Sequence, residues 1–281
     1  MEVSPRAALV VARLFEQATG QTLSQDRFWR IGSTLTPFCR ARGIARIDDL
    51  AVALERATNP GLSLDVIDAL LNNETSFFRD SGVFAQISGE ILPGLAAVRQ
   101  RDRRLRIWSA GCSTGQEAYS LAMLFAEQRE RWAGWKIEIL GSDISRSAIE
   151  RARDGLYSQF EVQRGLPVRQ LLAWFDPVPD NGWRVKAPIS AVTSFTRHNL
   201  LGPPPAGGRF DLILCRNALL YFSPERRHQM LEGLALAIAP DGALLLGAGE
   251  TVRGCSTRFT ADPVLPMVYR PSAYHGLSNA A

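Results

Sequence analysis

The sequence contains few residues of the kinds that mark metal sites, disulfide scaffolds or membrane spans. Its 281 residues include 4 cysteines and 3 histidines, and no two cysteines form a Cys-x-x-Cys pair. The usual zinc-ligand spacings are therefore missing, and a reducing compartment is favoured. Apolar runs fall short of the roughly 18 residues that a membrane-spanning helix requires, and the apolar stretch near the N-terminus is too short for a signal peptide. We expect a cytoplasmic protein without a metal ion.

Lysine is scarce as well, since Lys136 and Lys186 are the only lysines among 32 basic residues. The formal net charge is only +4, and 46% of the residues are hydrophobic and 21% charged, as in an ordinary globular protein. A net charge this small does not by itself indicate a nucleic-acid or membrane partner. Genome composition explains the preference for arginine at most positions.

Motifs of several enzyme classes are missing, including His-Glu-x-x-His, the phosphate-binding Walker loop and the Gly-x-Gly-x-x-Gly dinucleotide fingerprint. What is present is the segment Arg106–Glu117. A short apolar run ends there at Gly111, small residues continue to Gly115, and a helical pattern begins at Gln116. Such a strand, loop and helix let a ligand lie against backbone N–H groups at a helix start. Without the fingerprint, a nucleoside lacking phosphates fits better than a dinucleotide.

Residues 1–85 have a helical pattern throughout, with apolar residues at spacings of three and four, which predicts a small helical bundle. Several arginines fall around its second predicted helix and the turn after it. They are Arg27, Arg30, Arg40, Arg42 and Arg46. A solvated surface explains these arginines, and a basic face that docks an acidic helical partner is the alternative.

The segment Asn72–Asp80 closes the helical region and has an unusual composition. Polar residues that favour turns stand directly before Phe77, Phe78 and Arg79. This pattern indicates a polar loop that two buried rings hold in place. In the alternative interpretation, Asn72–Ser76 is only the end of a helix and the two rings are ordinary core residues.

After residue 85, strand and helix patterns alternate, which predicts an α/β domain with a parallel sheet. The predicted strands cover residues 105–110, 136–140, 192–197, 210–215 and 243–246, and the predicted helices cover 83–98, 116–130 and 145–153. Residues 259–270 have the pattern of a terminal hairpin. Between Phe175 and Ala191 the sequence is rich in Pro and Asp, and we expect an excursion there rather than strands.

Four predicted strands deliver Gly111, Asp143, Asn199 and Asn217 to the carboxyl edge of the sheet, where ligands collect in open parallel sheets. Asp143 can accept two hydrogen bonds from a ribose diol, or it can cap the helix that begins at Ser145. The two asparagine amides match the edge of an adenine, and either can instead be a turn residue. Without an evident general base or metal, a nucleoside cofactor points to methyl transfer from S-adenosylmethionine (SAM), whose sulfonium is already activated.

Four motifs carry a resemblance to a known family. They are Asn73–Arg79 (NETSFFR), Trp108–Glu117 (WSAGCSTGQE), Gly141–Asp143 (GSD) and Cys215–Phe222 (CRNALLYF). In this order and combination, the chain resembles the CheR family of chemotaxis receptor methyltransferases. The resemblance implies an α/β fold, namely a Rossmann-like SAM methyltransferase domain with a small inserted β-subdomain, preceded by an all-helical N-terminal domain. We expect these domains at residues 86–281 and 1–85, with the insertion at about 176–191.

The resemblance also implies an activity and a set of site residues. The activity would be SAM-dependent esterification of glutamate side chains on chemoreceptors, with S-adenosylhomocysteine as the second product. The expected cofactor contacts, including Gly111 from the turn, are Asn73, Thr75, Arg79, Gly111, Glu117, Asp143, Asn199, Leu200, Arg216 and Asn217. Arg79 and Tyr221 would lie nearest the reacting groups and are the expected catalytic residues.

Elementary chemistry agrees with these roles. A glutamate carboxylate is itself a nucleophile, so the enzyme needs no general base and mainly has to hold an ionised acceptor, as Arg79 can through charge-assisted hydrogen bonds. Tyr221 would cover the cofactor or orient the acceptor. The expected partner is the cytoplasmic helical region of chemoreceptors, bound through the arginines of the helical domain by a monomer, without nucleic acid or membrane insertion. The alternatives are methylation of another protein and a non-catalytic receptor-binding module.

Overall fold

The computed structural model of the chain describes residues 1–56, 59–180 and 182–272. The chain forms two compact units, and each is made of two stretches of sequence. One unit comprises Met1–Asn72 and Tyr221–Arg226, and the other comprises Asn73–Leu220 and Arg227–Ala281. The domain boundary that we expect at residue 85 stays a prediction.

The first unit is built from helices around its own apolar core. These helices are α1 (Pro5–Thr19), α2 (Trp29–Ala41), α3 (Ile47–Glu55) and α4 (Pro60–Leu70), with a 3₁₀ turn at Gln25–Arg27. Ser4 caps α1 by accepting a hydrogen bond from the Ala7 N–H at 3.2 Å, and Asn59 caps α4 by accepting one from the Leu62 N–H. The fully buried side chains include Val11, Ile31, Leu35, Leu50 and Val66. The spacing of apolar residues therefore predicts this bundle correctly.

Tyr221–Arg226 belongs to the helical unit although it lies far from it in sequence. Phe222 pairs with Gln21 in an antiparallel bridge, and the Thr22 N–H donates to the Tyr221 carbonyl at 2.9 Å. The Tyr221 hydroxyl accepts a hydrogen bond from the side-chain amide of Asn72 at 2.6 Å. Tyr221 is therefore held by backbone and side-chain contacts within this unit.

The second unit begins with the segment Asn73–Asp80 and a long apolar helix. This helix consists of α5 (Ser81–Gln86), a π turn (Ile87–Ile91) and α6 (Leu92–Val98). Pro93 has no N–H to donate to the preceding turn, which is consistent with the local widening to a π turn. By length and composition, Ser81–Val98 is long and apolar enough to cross a membrane, contrary to our expectation. Its inner residues, such as Phe84 and Ile91, lie in the same apolar core as the central sheet, as in an amphipathic core helix.

The first half of the central sheet follows the predicted pattern. Its elements are β1 (Arg104–Ala110), α7 (Gln116–Glu127), β2 (Lys136–Asp143) and α8 (Arg146–Asp154). Gly115 precedes α7 with φ 94°, and an added Cβ there would lie 2.9 Å from the Ala152 Cβ, so both backbone conformation and packing require glycine. Ser145 caps α8 by accepting from the Ala148 N–H at 3.1 Å. The cap is worth about 1 kcal/mol.

A small β-subdomain interrupts the α/β alternation. Its elements are β3 (Leu156–Ser158), α9 (Gln159–Gln163), α10 (Val168–Trp174), β4 (Phe175–Val178) and β5 (Gly182–Val185), followed by α11 (Ala187–Ser190). The three strands form an antiparallel sheet in the order β3-β5-β4, so the expected inserted β-subdomain is present. It begins at Leu156, about twenty residues before the expected start at 176. Our expectation of an excursion without strands was wrong. Pro177 fits because β4 is an edge strand, where its missing N–H costs no interior ladder bond.

The remaining elements complete a seven-stranded sheet. They are β6 (Thr193–Arg197), β7 (Phe210–Cys215), α12 (Pro224–Ala237), β8 (Ile238–Leu246), β9 (Phe259–Ala261) and β10 (Val268–Pro271). The strand order is β6-β2-β1-β7-β8-β10-β9, in which the first five strands are parallel and β10 and β9 are antiparallel. The α/β fold and the terminal hairpin are thus confirmed. β8 begins earlier than predicted, with a register shift opposite Phe210 and Leu212.

Candidate cofactor site

The turn after β1 is fastened to the end of the neighbouring strand β2. The N–H groups of Gly111 and Cys112 both donate to the Ser142 carbonyl, at 2.8 and 2.9 Å. Gly111 has φ 83° and Ser113 has φ 51°, so the chain turns sharply between the strand and α7. Among the described residues, no side chain caps the start of α7. This helix start therefore presents N–H groups and the positive end of its dipole at the sheet edge.

Asp143 lies at the end of β2 with both carboxylate oxygens engaged by backbone N–H groups. The Ser113 N–H donates to Oδ2 and the Ser145 N–H donates to Oδ1, each at 2.9 Å. The helix cap of α8 is Ser145, so the alternative in which Asp143 caps this helix was wrong. The two bonds fix the carboxylate beside the glycine turn, in a partly exposed position. That is where the sequence places a ribose contact.

Asn73 joins the segment Asn73–Asp80 to the same turn. Its carbonyl accepts from the Ser113 hydroxyl at 2.7 Å, and its side-chain amide donates to the Ser145 hydroxyl at 3.2 Å. Because α4 ends at Leu70, this segment is a loop, and the alternative of a helix end was wrong. Phe77 and Phe78 are 0% and 9% exposed and lie in the main apolar core, as both interpretations require.

The rest of this loop presents polar groups to its surroundings. Thr75 is partly buried and, with Asn73, lines a polar cavity of about 220 Å³ that also includes Gln116. The Arg79 guanidinium is partly exposed and donates to the Glu74 carbonyl at 3.3 Å. Within the described part of the chain, Arg79 forms no ion pair. Its charge is therefore available to an anionic group.

Arg216 and Glu117 form a buried link between three of the sequence motifs. Arg216 has a side chain only 2% exposed and donates to the Glu117 carboxylate at 3.0 Å, to the Arg79 carbonyl at 3.1 Å, and to the Asp80 carboxylate. The other Glu117 oxygen accepts from the Ser109 hydroxyl at 2.8 Å. A buried guanidinium requires such partners, because an unpaired buried charge is strongly destabilising. Direct contact of Arg216 and Glu117 with the cofactor stays a prediction.

A residue that the sequence analysis missed, Glu250, holds Asn217. Asn217 has φ 59°, and its N–H donates to the Glu250 carboxylate at 2.7 Å, while the Gly247 N–H donates to the same oxygen at 2.8 Å. Glu250 is 9% exposed and follows the end of β8. It therefore joins the ends of β7 and β8. The only sequence signal for it is an acidic residue just after the last parallel strand.

Asn199 lies in a turn, which is one of the two alternatives that the sequence leaves open. Its side-chain oxygen accepts from the Leu201 N–H at 3.0 Å, and its carbonyl accepts from the Gly202 N–H at 2.8 Å. The preceding residue, His198, donates its N–H to the Asp143 carbonyl at 2.8 Å, which fastens this turn beside the end of β2. Contacts of Asn199 and Leu200 with a cofactor stay predictions.

The expected cofactor residues therefore all lie in the second unit, around one edge of its sheet. Tyr221, the other expected catalytic residue beside Arg79, belongs to the helical unit. Nine of the ten expected cofactor residues are partly exposed, as ligand contacts must be, and Arg216 is buried. The glycine turn, the fixed Asp143 carboxylate and the uncapped helix start fit a nucleoside with a ribose diol. Among the described residues, no group of His, Cys, Asp and Glu has the arrangement of a metal site.

Comparison with known proteins agrees with this geometry. The family model described as "CheR methyltransferase, SAM binding domain" matches residues 73–264. A chemotaxis protein methyltransferase of Vibrio parahaemolyticus is 34% identical over 250 residues, covering 88% of this chain and 90% of that protein. A chemotaxis protein methyltransferase of Vibrio cholerae is 33% identical, with 88% and 90% covered, and one of Escherichia coli is 30% identical, with 89% and 86% covered.

The family match begins at Asn73, where the second compact unit begins, and it spans the glycine turn, Asp143, Arg216 and Glu250. The expected cofactor, SAM, is thereby confirmed. The chain belongs to the CheR methyltransferase family, and residues 73–264 are its SAM-binding domain.

Proposed function

We propose that this protein is a SAM-dependent glutamate O-methyltransferase that acts on chemoreceptors in chemotaxis adaptation. Relatives named as chemotaxis protein methyltransferases support the pathway. The observation that carries the glutamate assignment is the loop Asn73–Asp80. One end of this loop bonds to the glycine turn through Asn73, and its other end holds the partly exposed Arg79 guanidinium without an ion pair among the described residues.

In this proposal, the sheet edge holds the cofactor. Asp143 accepts the ribose hydroxyls, the Gly111 turn lies against the nucleoside, and Asn199, Leu200 and Asn217 flank the base. Asn73, Thr75, Arg79, Glu117 and Arg216 would bind or position the remaining part of the cofactor. The fixed carboxylate of Asp143 and the partly exposed positions of nine of these ten residues support the assignment.

Arg79 has the chemistry to orient an ionised acceptor. A guanidinium can donate two parallel hydrogen bonds to a carboxylate, which fixes its plane and keeps it deprotonated. When bound, SAM supplies a methyl group on a positively charged sulfur, and in-line attack by a carboxylate oxygen leaves a methyl ester and a neutral thioether without proton transfer. The protein therefore mainly aligns the two reactants, and the proposed reaction needs no general base. A contribution of Tyr221 to orienting the acceptor rests on the resemblance alone.

The helical unit would bind the receptor through its arginines. Arg42 is paired with Asp65 at 2.9 Å and Arg46 lies 3.9 Å from Asp48, so their charges are partly neutralised. Arg27 and Arg40 form no ion pair within the described residues. They are the best candidates for attraction to acidic receptor helices, which acts mainly on the association rate. We further propose that the protein is cytoplasmic and monomeric.

The decisive experiment incubates the purified protein with labelled SAM and receptor-bearing membranes. Glutamate methyl esters release their label as methanol in mild base, whereas methylated nitrogen atoms retain it. Base-labile label on the receptor band is the expected result. Base-stable label would assign another acceptor chemistry, and binding of S-adenosylhomocysteine without any incorporation would indicate a non-catalytic module.

A further inference from the structure

A single side chain of the inserted β-subdomain contacts both loops that form the cofactor site. Tyr157 lies on β3 and is 1% exposed. Its hydroxyl donates to the Thr114 carbonyl in the glycine turn at 2.6 Å. Its ring packs edge-on against Phe77 of the loop Asn73–Asp80, with ring centroids 5.0 Å apart. Burial raises the pKa of Tyr157 well above its ordinary value, so the hydroxyl keeps its proton for this bond.

The subdomain makes further contacts with the same loop. Phe175 on β4 packs edge-on against Phe77 with centroids 5.5 Å apart. Gly165, between α9 and α10, has φ 88°, and an added Cβ would lie 2.1 Å from the Phe77 carbonyl oxygen. Backbone thus packs directly on backbone at this point. Beside it, Arg164 donates to the Glu74 carboxylate at 3.1 Å, an exposed pair of small energetic value.

We propose that the inserted β-subdomain positions the cofactor loops, with Tyr157 and Gly165 as its positioning residues. These residues act through Phe77 and the Thr114 carbonyl, and neither is assigned a contact with the cofactor. The inference goes beyond glutamate methylation, because it concerns cofactor binding and holds whatever the methyl acceptor is.

The loop at residues 73–76 needs such anchoring contacts because of its own structure. Asn73–Ser76 lies outside any helix or strand, so no regular ladder of backbone hydrogen bonds restrains it. Holding each residue of such a segment in one conformation carries an entropy cost that other contacts must offset. If the loop samples other conformations, the apparent affinity for a ligand falls by the fraction of time that the competent conformation is populated. The anchors at Phe77 and Thr114 raise that fraction.

Two pairs of matched variants test the proposal. Tyr157→Phe removes the hydroxyl bond to the cofactor turn and keeps the ring. Its control, Tyr119→Phe, removes an equivalent buried bond of 2.6 Å, which goes to the Ala152 carbonyl in α8. Gly165→Ala places a Cβ against the Phe77 carbonyl. Its control, Gly254→Ala, has comparable backbone strain at φ 73° with no atom within 4 Å of the added Cβ.

The readouts are calorimetric affinity for S-adenosylhomocysteine and amide hydrogen exchange of cofactor-free protein at residues 73–80 and 112–116. We expect Gly165→Ala to weaken binding about tenfold or more and Tyr157→Phe about threefold to tenfold. Each change should lower the fraction of molecules in which the loops are in the binding conformation, and the apparent affinity falls with that fraction. Exchange in these two segments should accelerate. Both controls should bind within about twofold of the wild type.

Equal affinities and equal exchange within each pair would overturn the proposal. If Gly165→Ala fails to fold, as judged by circular dichroism, the tyrosine pair decides alone. Because neither readout requires a methyl acceptor, failure here is distinguishable from failure of the glutamate assignment. Wild-type affinity in all variants together with base-labile receptor labelling would reject only this inference.

Discussion

Arg216 and Glu117 form a buried ion pair that joins the end of β7 to the first turn of α7, with 3.0 Å between Nη1 and Oε2. Their side chains are 2% and 14% exposed. Since Arg216 also donates to the Arg79 carbonyl and the Asp80 carboxylate, the pair also holds the far end of the loop that begins at Asn73. The two residues are therefore as important for the shape of the site as for any contact with a ligand.

Breaking this pair should destabilise the protein. Arg216→Met leaves the Glu117 carboxylate partly buried without its partner, so we expect a loss of about 3–5 kcal/mol in the free energy of unfolding. Urea unfolding followed by circular dichroism measures it. The double variant with Glu117→Gln should recover part of the loss. Arg104→Met, which breaks the exposed pair with Glu138, should cost less than about 1 kcal/mol. Equal losses for the two arginines would contradict this account.

Asp143→Ala should weaken cofactor binding. Removing the carboxylate deletes the proposed ribose acceptor and leaves the Ser113 and Ser145 N–H groups without it, so we expect a loss of about 1–3 kcal/mol in binding free energy. Calorimetry with S-adenosylhomocysteine measures the change. Asp154→Ala removes the same charge from an exposed position at the end of α8 and is the control. Unchanged affinity in Asp143→Ala would refute the ribose assignment.

Arg79→Ala should lower turnover far more than stability. The guanidinium is partly exposed and forms no ion pair among the described residues, so its removal should change the free energy of unfolding by less than about 1 kcal/mol. Methyl transfer to receptor membranes should fall by about two orders of magnitude if Arg79 fixes the acceptor. Arg253→Ala, at an exposed position of the same unit, is the control. A large drop in melting temperature with proportionate loss of activity would make Arg79 structural.

Charge reversal on the helical unit should impair receptor methylation specifically. The double variant Arg27→Glu and Arg40→Glu should raise the KM for receptor and weaken its dependence on salt, because electrostatic attraction is screened by ions. Affinity for S-adenosylhomocysteine should not change. Arg6→Glu, at an exposed arginine on α1 that pairs with Glu55, is the control. An unchanged receptor KM in the double variant would favour the alternative in which these arginines are only a solvated surface.

Acid should destabilise the protein partly through Asp241. Arg99 donates to its carboxylate and lowers the pKa of Asp241 in the folded state. Because the pKa of Asp241 is lower in the folded state, its ionised carboxylate stabilises the protein at pH values above the unfolded pKa of about 3.9. This contribution is lost as the pH falls through the folded pKa. Asp241→Asn should therefore lose stability at pH 7 and show a flatter dependence of unfolding free energy on pH below about 4. A parallel shift of the whole curve would contradict the linkage.

The local sequence pattern was sufficient to predict much of the secondary structure of this protein. The five parallel strands, the helix start at Gln116 and the terminal hairpin follow from periodicity and turn residues, because these depend on neighbours in sequence. The β-subdomain strands were missed by pattern, since Pro177 and its acidic neighbour Asp176 argue against a strand unless it lies at an edge. Only the resemblance anticipated that subdomain.

By itself, the sequence determined the family, the cofactor and which residues reach the sheet edge, because motif spacing and strand ends are properties of the linear chain. Only the tertiary structure decided which partners those residues take. Arg216 bonds to Glu117 across 99 positions, Tyr157 bonds to Thr114 across 43, and Tyr221 belongs to the helical unit. Buried polar groups take whichever partner the fold brings within about 3 Å, and no local pattern encodes that proximity.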